Sequence, residues 1–230
     1  MNAPPTGLRE LKKRQTRQAI SDHATRLFIE RGFDQVTIAD VAAAAQVAKM
    51  TVTNYFPRKE DLALDLRDEF VQGLARAVAG RAPGESALAA LRREYLDAVR
   101  RHDPVIGFSG PAFARMIAGS PALVARLREF HEAREEALAA VLAEETGADP
   151  ADLRPRVAAA QLGGAHRVLF AETLRRTLEG QDHDTMAAAL TRAAEDAFAL
   201  LEPSLGDYAV RRPPAEVRAS RPARTAGPGA

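Results

Sequence analysis

The sequence predicts an all-α protein, and three observations carry that prediction. Apolar residues recur at three- and four-residue spacing, no stretch alternates with the period of two that a half-buried strand needs, and Gly and Pro fall mostly between the apolar runs. Of 230 residues, 46% are hydrophobic and 27% charged, the balance of a globular protein with a sizeable core. There is no cysteine, which excludes disulfides and thiolate metal sites. No apolar run reaches the length of a membrane span, and MNAPPTGLRELKKR at the N-terminus holds nothing like a signal peptide, so a cytoplasmic protein without membrane contact is expected.

The first helix is expected over 16–32, with Thr16 near its cap and Ile20, Ala24, Leu27 and Phe28 inward. Gly32 is placed to end it in a left-handed conformation, and Phe33 to pack back. Thr37 and Asp40, three residues apart, open a second helix that buries Ile38, Val41, Ala42 and Ala45. A turn through Gln46 and Val47 leads to a short third helix, 48–56, which Pro57 stops. A long helix is expected over 59–78, with Leu62, Leu66, Phe70 and Leu74 at i, i+4 spacing, before Gly80, Pro83 and Gly84 break the chain. Further helices fit 86–101, an irregular 104–119 around Pro111, 121–145, a run from about 148 to 178 disturbed at Pro155, and 185–201 started by Asp182 or Asp184. Residues 206–230, rich in Pro, Ala and Arg without periodicity, are expected to form a disordered tail.

Charge is unevenly distributed. Residues 1–62 hold ten Lys/Arg against seven Asp/Glu, residues 63–205 seventeen against twenty-two, and the tail five against two. A basic front on an acidic body fits a front that meets a polyanion. Within it, Arg9, Lys12, Lys13, Arg14 and Arg17 make residues 1–15 and the start of the first helix a candidate basic arm.

On the third helix Val52 and Phe56 share an inward face with Ala48 beside them, while Met50, Thr51, Thr53 and Asn54 lie outward with few charges. Three short helices, the second and third joined by a tight turn, meet the needs of a helix-turn-helix with its last helix free to enter a major groove. Thr and Asn can hydrogen-bond base edges there, Met50 can meet a thymine methyl, and Thr37, Tyr55 and Lys59 are placed for phosphates.

The run TIADVAAAAQVAKMTVTNYFPRKEDL, with ATRLFIERGFDQVT upstream, resembles the helix-turn-helix of the TetR family of bacterial transcriptional regulators over residues 16–62. The resemblance implies DNA contacts at Thr37, Lys49, Met50, Thr51, Thr53, Asn54, Tyr55 and Lys59. The sequence departs from that pattern at Gln46, where the turn usually holds Gly, at Ala48, where a capping Ser is usual, and at Met50 and Thr53-Asn54. The resemblance further implies that residues 63–205 form a helical effector-binding and dimerisation domain, that the protein binds a double-stranded DNA operator as a homodimer, most often as a repressor, and that a small molecule releases it. Leu162, Val168, Leu169, Leu190, Phe198 and Leu201, on helices rich in Ala and Gly, are the candidate dimer seam. Phe70, Phe108, Phe113, Met116, Leu127, Phe130, His131, His166 and Phe170 are the candidate pocket, and their character points to an apolar effector.

An enzymatic reading finds little support. The five histidines, His23, His102, His131, His166 and His183, show no H-E-x-x-H spacing, there is no G-x-S-x-G, and GGAH at 163–166 lacks the setting of a dinucleotide loop. No catalytic residue, metal ligand or cofactor is expected. The remaining alternative is an all-helical interaction module that has lost operator binding.

Overall fold

The computed structural model describes residues 6–212, and among them every regular element is helical. Residues 1–5 of the expected arm and 213–230 of the expected tail lie outside the described residues. Helix α1 spans Thr6–Arg31, so the basic residues expected to form an arm extend the first helix instead. It ends at Gly32, whose φ of 88° lets its N–H donate to the Phe28 carbonyl oxygen at 2.9 Å. The chain then folds back so that the Phe33 ring lies 4.9 Å from that of Phe28.

Helix α2 (Ile38–Ala44) starts with a reciprocal cap: the Thr37 hydroxyl accepts from the Asp40 N–H at 3.2 Å and the Asp40 carboxylate accepts from the Thr37 N–H at 2.8 Å. Helix α3 (Lys49–Tyr55) follows a tight turn. Ile20, Phe28, Val41, Val52 and Phe56 close the core of this three-helix head, each with 1% or less of its surface exposed. Burial of each stabilises the head by about 1.5–3 kcal/mol. Ile117 and Leu123, from much later in the chain, complete the same core, so the head is seated on the bundle by shared packing.

The single helix expected over 59–78 is two: α4 (Glu60–Ala63) and α5 (Arg67–Ala79). The break has a tertiary cause. Arg17 of α1 donates to the Asp65 carbonyl oxygen at 2.9 Å, and Ser21 donates to the Asp65 carboxylate. These bonds draw Asp65 out of the helical ladder, against the helical spacing of its neighbours.

The body is built from α5, α6 (Ala87–Arg100), α7 (Pro111–Gly119), α8 (Pro121–Thr146), α9 (Arg154–Leu178) and α10 (His183–Leu205), with a 3-10 turn at Pro104–Ile106. α8 packs between α5 and α9, and α10 between α6 and α9. Ser86, Ser120 and Asp182 cap α6, α8 and α10 with side-chain oxygens. Pro155 does not disturb a helix, because α9 begins at Arg154 and places the proline in its first turn, where no donor is needed.

Part of the expected tail is fixed. The buried guanidinium of Arg81 donates from Nε and Nη2 to the Ala209 carbonyl oxygen (3.1 and 2.8 Å) and pairs with Glu145 at 3.0 Å. Residue 211 exchanges backbone hydrogen bonds with Gly84 and Glu85. Residues 206–212 therefore latch onto the α5–α6 turn through a partner more than a hundred residues away, which no local pattern reveals.

Candidate functional site

Helix α3 is held from below and open above. Val52 and Phe56 are fully buried, while Lys49, Met50 and Asn54 are exposed, Met50 by 69%. Thr51, Thr53 and Tyr55 are half-buried. The turn before α3 puts Gln46 at φ 54°, the left-handed conformation a glycine would adopt without cost, and Ala48 at the N-cap makes no side-chain hydrogen bond. The Thr53 hydroxyl donates back to the Met50 carbonyl oxygen at 3.1 Å, whereas the exposed Asn54 side chain makes no hydrogen bond among the described residues.

None of the eight candidate contacts is fully buried, and two basic residues of the head have partners within the protein. Arg17, expected in the arm, is half-buried: its Nη1 donates to the Tyr55 carbonyl oxygen at 3.1 Å and its guanidinium lies 4.3 Å from the centre of the Phe56 ring. It satisfies the C-terminal end of α3 and fixes that helix to α1 and Asp65. Lys59 sets its ammonium over the Phe33 ring at 4.2 Å, a cation–π contact worth about 0.5–1 kcal/mol. Thr37 is exposed, but its hydroxyl is engaged with Asp40, and those hydrogen bonds hold the Asp40 carboxyl below its usual range. That carboxylate already complements the start of α2, so this helix end offers a phosphate less than its position alone implied.

Behind the head, Arg126 of α8 donates from Nε and Nη2 to one Asp61 oxygen at 2.9 and 2.7 Å. It also reaches Glu129, which pairs with Arg58 at 3.0 Å. This network ties α4 to α8 and stands beside a cleft under the α4–α5 break. Phe70, Phe113, Leu127, Phe130 and Phe170 line that cleft, which holds roughly 580 Å³ of empty space including its mouth. The His131 ring packs edge-on against Phe70 and Phe170. The other three pocket candidates lie elsewhere. Phe108 packs in the bundle core against His102 and His183, Met116 faces a groove beside Phe28 and Phe33, and His166 lines a second cavity.

That second cavity, between α5, α6, α8 and α9, holds about 910 Å³ including its mouth. Arg134, Tyr95 and His166 border it, all buried, and all three carry polar atoms that meet no hydrogen-bond partner among the described residues. Thr173 lies beside the Tyr95 hydroxyl; its own hydroxyl donates to the Leu169 carbonyl oxygen at 2.9 Å and keeps a lone pair turned to no other donor among the described residues. Burial pushes the Arg134 guanidinium down to about 10, so it stays charged at neutral pH. Burial, with the Arg134 and Arg167 charges, lowers His131 to about 4, and burial with the Arg134 charge puts His166 well below its ordinary value. Both imidazoles are therefore neutral, and Tyr95, raised to about 12 by burial, keeps its proton. The residues missed by sequence reasoning are Arg134 and Tyr95. A signal for the first existed: Arg134 falls in the i, i+4 series Phe130, Leu138 and Leu142, where a charge does not belong.

The proposed seam also needs correction in detail. Leu162, Leu169, Leu190 and Phe198 are 2% exposed or less and pack inside this chain, and Leu201 packs partly against the same core. Val168 is the one of the six that is exposed, and Val157 and Leu200, at 53% and 82%, join it on the outer side of α9 and α10.

Comparison with known proteins agrees with this geometry. Residues 20–66 match the family described as bacterial regulatory proteins, tetR family, and residues 85–205 match the MftR C-terminal domain. The HTH-type transcriptional regulator TcmR of Streptomyces glaucescens is 32% identical over 205 residues, covering 86% of this chain and 88% of that protein. A TetR-family regulator structure from Syntrophomonas wolfei aligns with a TM-score of 0.53 at 16% identity, over 81% of this chain and 96% of that one. NalD, the secondary repressor of the MexAB-OprM multidrug efflux pump in Pseudomonas aeruginosa, aligns with a TM-score of 0.51 at 21% identity, over 80% and 96%. The two structures speak to the fold, and the two family matches with the TcmR relationship to lineage. The chain belongs to the TetR family of bacterial regulatory proteins and is a helix-turn-helix, DNA-binding transcriptional regulator.

Proposed function

We propose that this regulator is a repressor that binds a palindromic operator as a homodimer and is released by a small, largely apolar effector. The observation that carries the reading is the outer face of α3, exposed and nearly uncharged on a head whose core is closed. In this reading Thr53 and Asn54 pair with base edges and Met50 meets a thymine methyl. Lys49, Thr51, Thr37 and Tyr55 serve the phosphates, and Lys59 adds charge from its seat on Phe33.

Two heads must stand about 34–36 Å apart to enter successive major grooves. The exposed Val157, Val168 and Leu200, flanked by the small residues Gly164, Ala171 and Ala197, are a surface that a second copy would cover. Effector release would run through the α4–α5 break. An occupant of the cleft would press on Leu64 and Leu66, which line it beside Asp65. Arg17 bonds both Asp65 and the end of α3, so a shift at the break reaches the reading helix through one side chain.

The test is selection of random duplex DNA by the purified protein, with Asn54→Ala and Thr53→Ala in parallel. A two-fold palindrome enriched by the wild type, with altered or lost positions in the variants, is the expected result. Each lost base contact should cost about 1–3 kcal/mol. No enrichment at low salt by folded protein would overturn operator reading and leave a protein-interaction module in its place.

A further inference from the structure

The second cavity contains a charge with nothing to balance it. Arg134 is 4% exposed, its Nε is orphaned, and it forms neither a hydrogen bond nor an ion pair among the described residues. Its guanidinium lies 4.6 Å from the centre of the Phe70 ring, which steadies its position without neutralising it. Facing it are two neutral polar groups with unused bonding capacity, the Tyr95 hydroxyl and both ring nitrogens of His166. Those rings meet edge to face at 5.5 Å, so the two groups are fixed as a unit. Removing water from an unpaired charge is among the most costly things a fold can do, and the two neutral orphans beside it add a smaller cost each.

Acidic residues at the cavity's rim do not resolve it. Asp103 accepts the Val105 N–H at 2.9 Å and pairs with Arg101, and Glu94 pairs with Arg101 and Arg93. Glu69 is exposed, on the solvent side of α5. The Arg76 guanidinium, also at the rim, bonds backbone oxygens of its own helix. The remaining wall is apolar, from Leu74, Ala77, Ala98, Val105 and Ile106.

We infer that the effector of this regulator is an organic anion: a small molecule whose carboxylate, or acidic phenol or enol oxygen, is bound by Arg134 with Tyr95 and His166 beside it, and whose remainder is apolar. The inference rests on the effector reading proposed above and narrows it. Arg134 supplies charge and a forked donor, Tyr95 one O–H donor, and neutral His166 one donor and one acceptor. A neutral carbonyl would fill the donors but leave the charge uncompensated. The apolar body lies against Leu74, Ala98 and Ile106 in this second cavity, not in the cleft, so its push on the α4–α5 break passes through Val105, which forms part of the wall of both.

The experiment uses the full chain with matched probes: benzoic, naphthoic and medium-chain alkanoic acids, each against its primary amide. Thermal stability and release of the selected operator are both read. Near one hundred times Kd an acid should raise Tm by about 5–10 °C, while its amide does little. Arg134→Met should lower acid affinity by at least about 30-fold. It should also leave the unliganded Tm unchanged or raised, because it removes an uncompensated charge. A structural arginine would give the opposite: a clear fall in Tm in Arg134→Met without ligand, which overturns the inference. Equal response to acid and amide, or no response to any acid, overturns it as well. Acids that bind through Arg134 without releasing operator would uphold the anion site and instead defeat the effector reading.

Discussion

The head and the bundle treat polar side chains in opposite ways. In the head, polar groups either face outward, as on α3, or are bonded: Ser21 to Asp65, Arg17 to two carbonyls, Thr37 and Asp40 to one another. Among the described residues, none of the orphaned buried polar atoms lies in the head. In the bundle, Tyr95, Arg134 and His166 are buried together with bonds unmade. A surface that reads DNA must hold its shape before the partner arrives, and a satisfied core does that. The cavity proposed to sense a molecule is built differently: groups left unpaired reward whatever completes them.

The joint between the two regions is where that contrast can be broken with the largest effect. Asp61→Ala leaves Arg126, 15% exposed at its side chain, with the more exposed Glu129 as its remaining partner. A cost of about 3 kcal/mol is expected, or roughly 6–12 °C in Tm, measured by melting of the purified protein. Replacing both partners, Asp61→Leu with Arg126→Met, should recover most of the loss, since two apolar side chains need no counter-charge. A double variant as unstable as the single one would show that the network holds the head in place through Glu129 and Arg58, and not through the pair itself.

Acid tests the bundle without mutating it. Unfolded histidine binds a proton near pH 6.5, whereas folded His131 waits until about 4. Between those values the unfolded state carries more protons, so the stability His131 contributes is full above 6.5 and is lost as pH falls toward 4. The loss amounts to about 3 kcal/mol at the lower end. His166, depressed in the same direction, adds to it. His131→Phe, which keeps a ring against Phe70 and Phe170, should flatten part of the pH dependence of denaturant unfolding. An unchanged profile would place the acid-sensitive group elsewhere.

The same contrast explains what could be read from the sequence. Gly32, the Thr37–Asp40 pair, Pro57 and the inward spacing of Val41, Val52 and Phe56 are local signals, and they located the head and its outer face. The break at Asp65 was hidden because its cause, Arg17, is 48 residues away. Distance also hid the latch of Arg81 on Ala209, and with it the contacts that Arg17 and Lys59 make within the protein. Arg134 was visible as a charge in an apolar stripe, but whether such a residue finds a partner is a property of four helices, not of one.

The smallest predicted effect sits in the turn that aims α3. Gln46 holds φ at 54°, which costs an ordinary residue about 1–2 kcal/mol, while glycine adopts it freely but loses more backbone entropy on folding. The difference favours Gln46→Gly by about 0.5–1 kcal/mol, or a rise of roughly 1–4 °C in Tm. The Gln46 side chain is exposed, and the turn's backbone bonds, Gln46 N–H to Ala43 and Val47 N–H to Ala42, do not depend on it. Operator affinity should therefore stay within about twofold of wild type if Gln46 only shapes the turn. A variant that melts higher yet binds the selected operator tenfold more weakly would place the Gln46 amide at the DNA, and so extend the reading surface from α3 into the turn that precedes it.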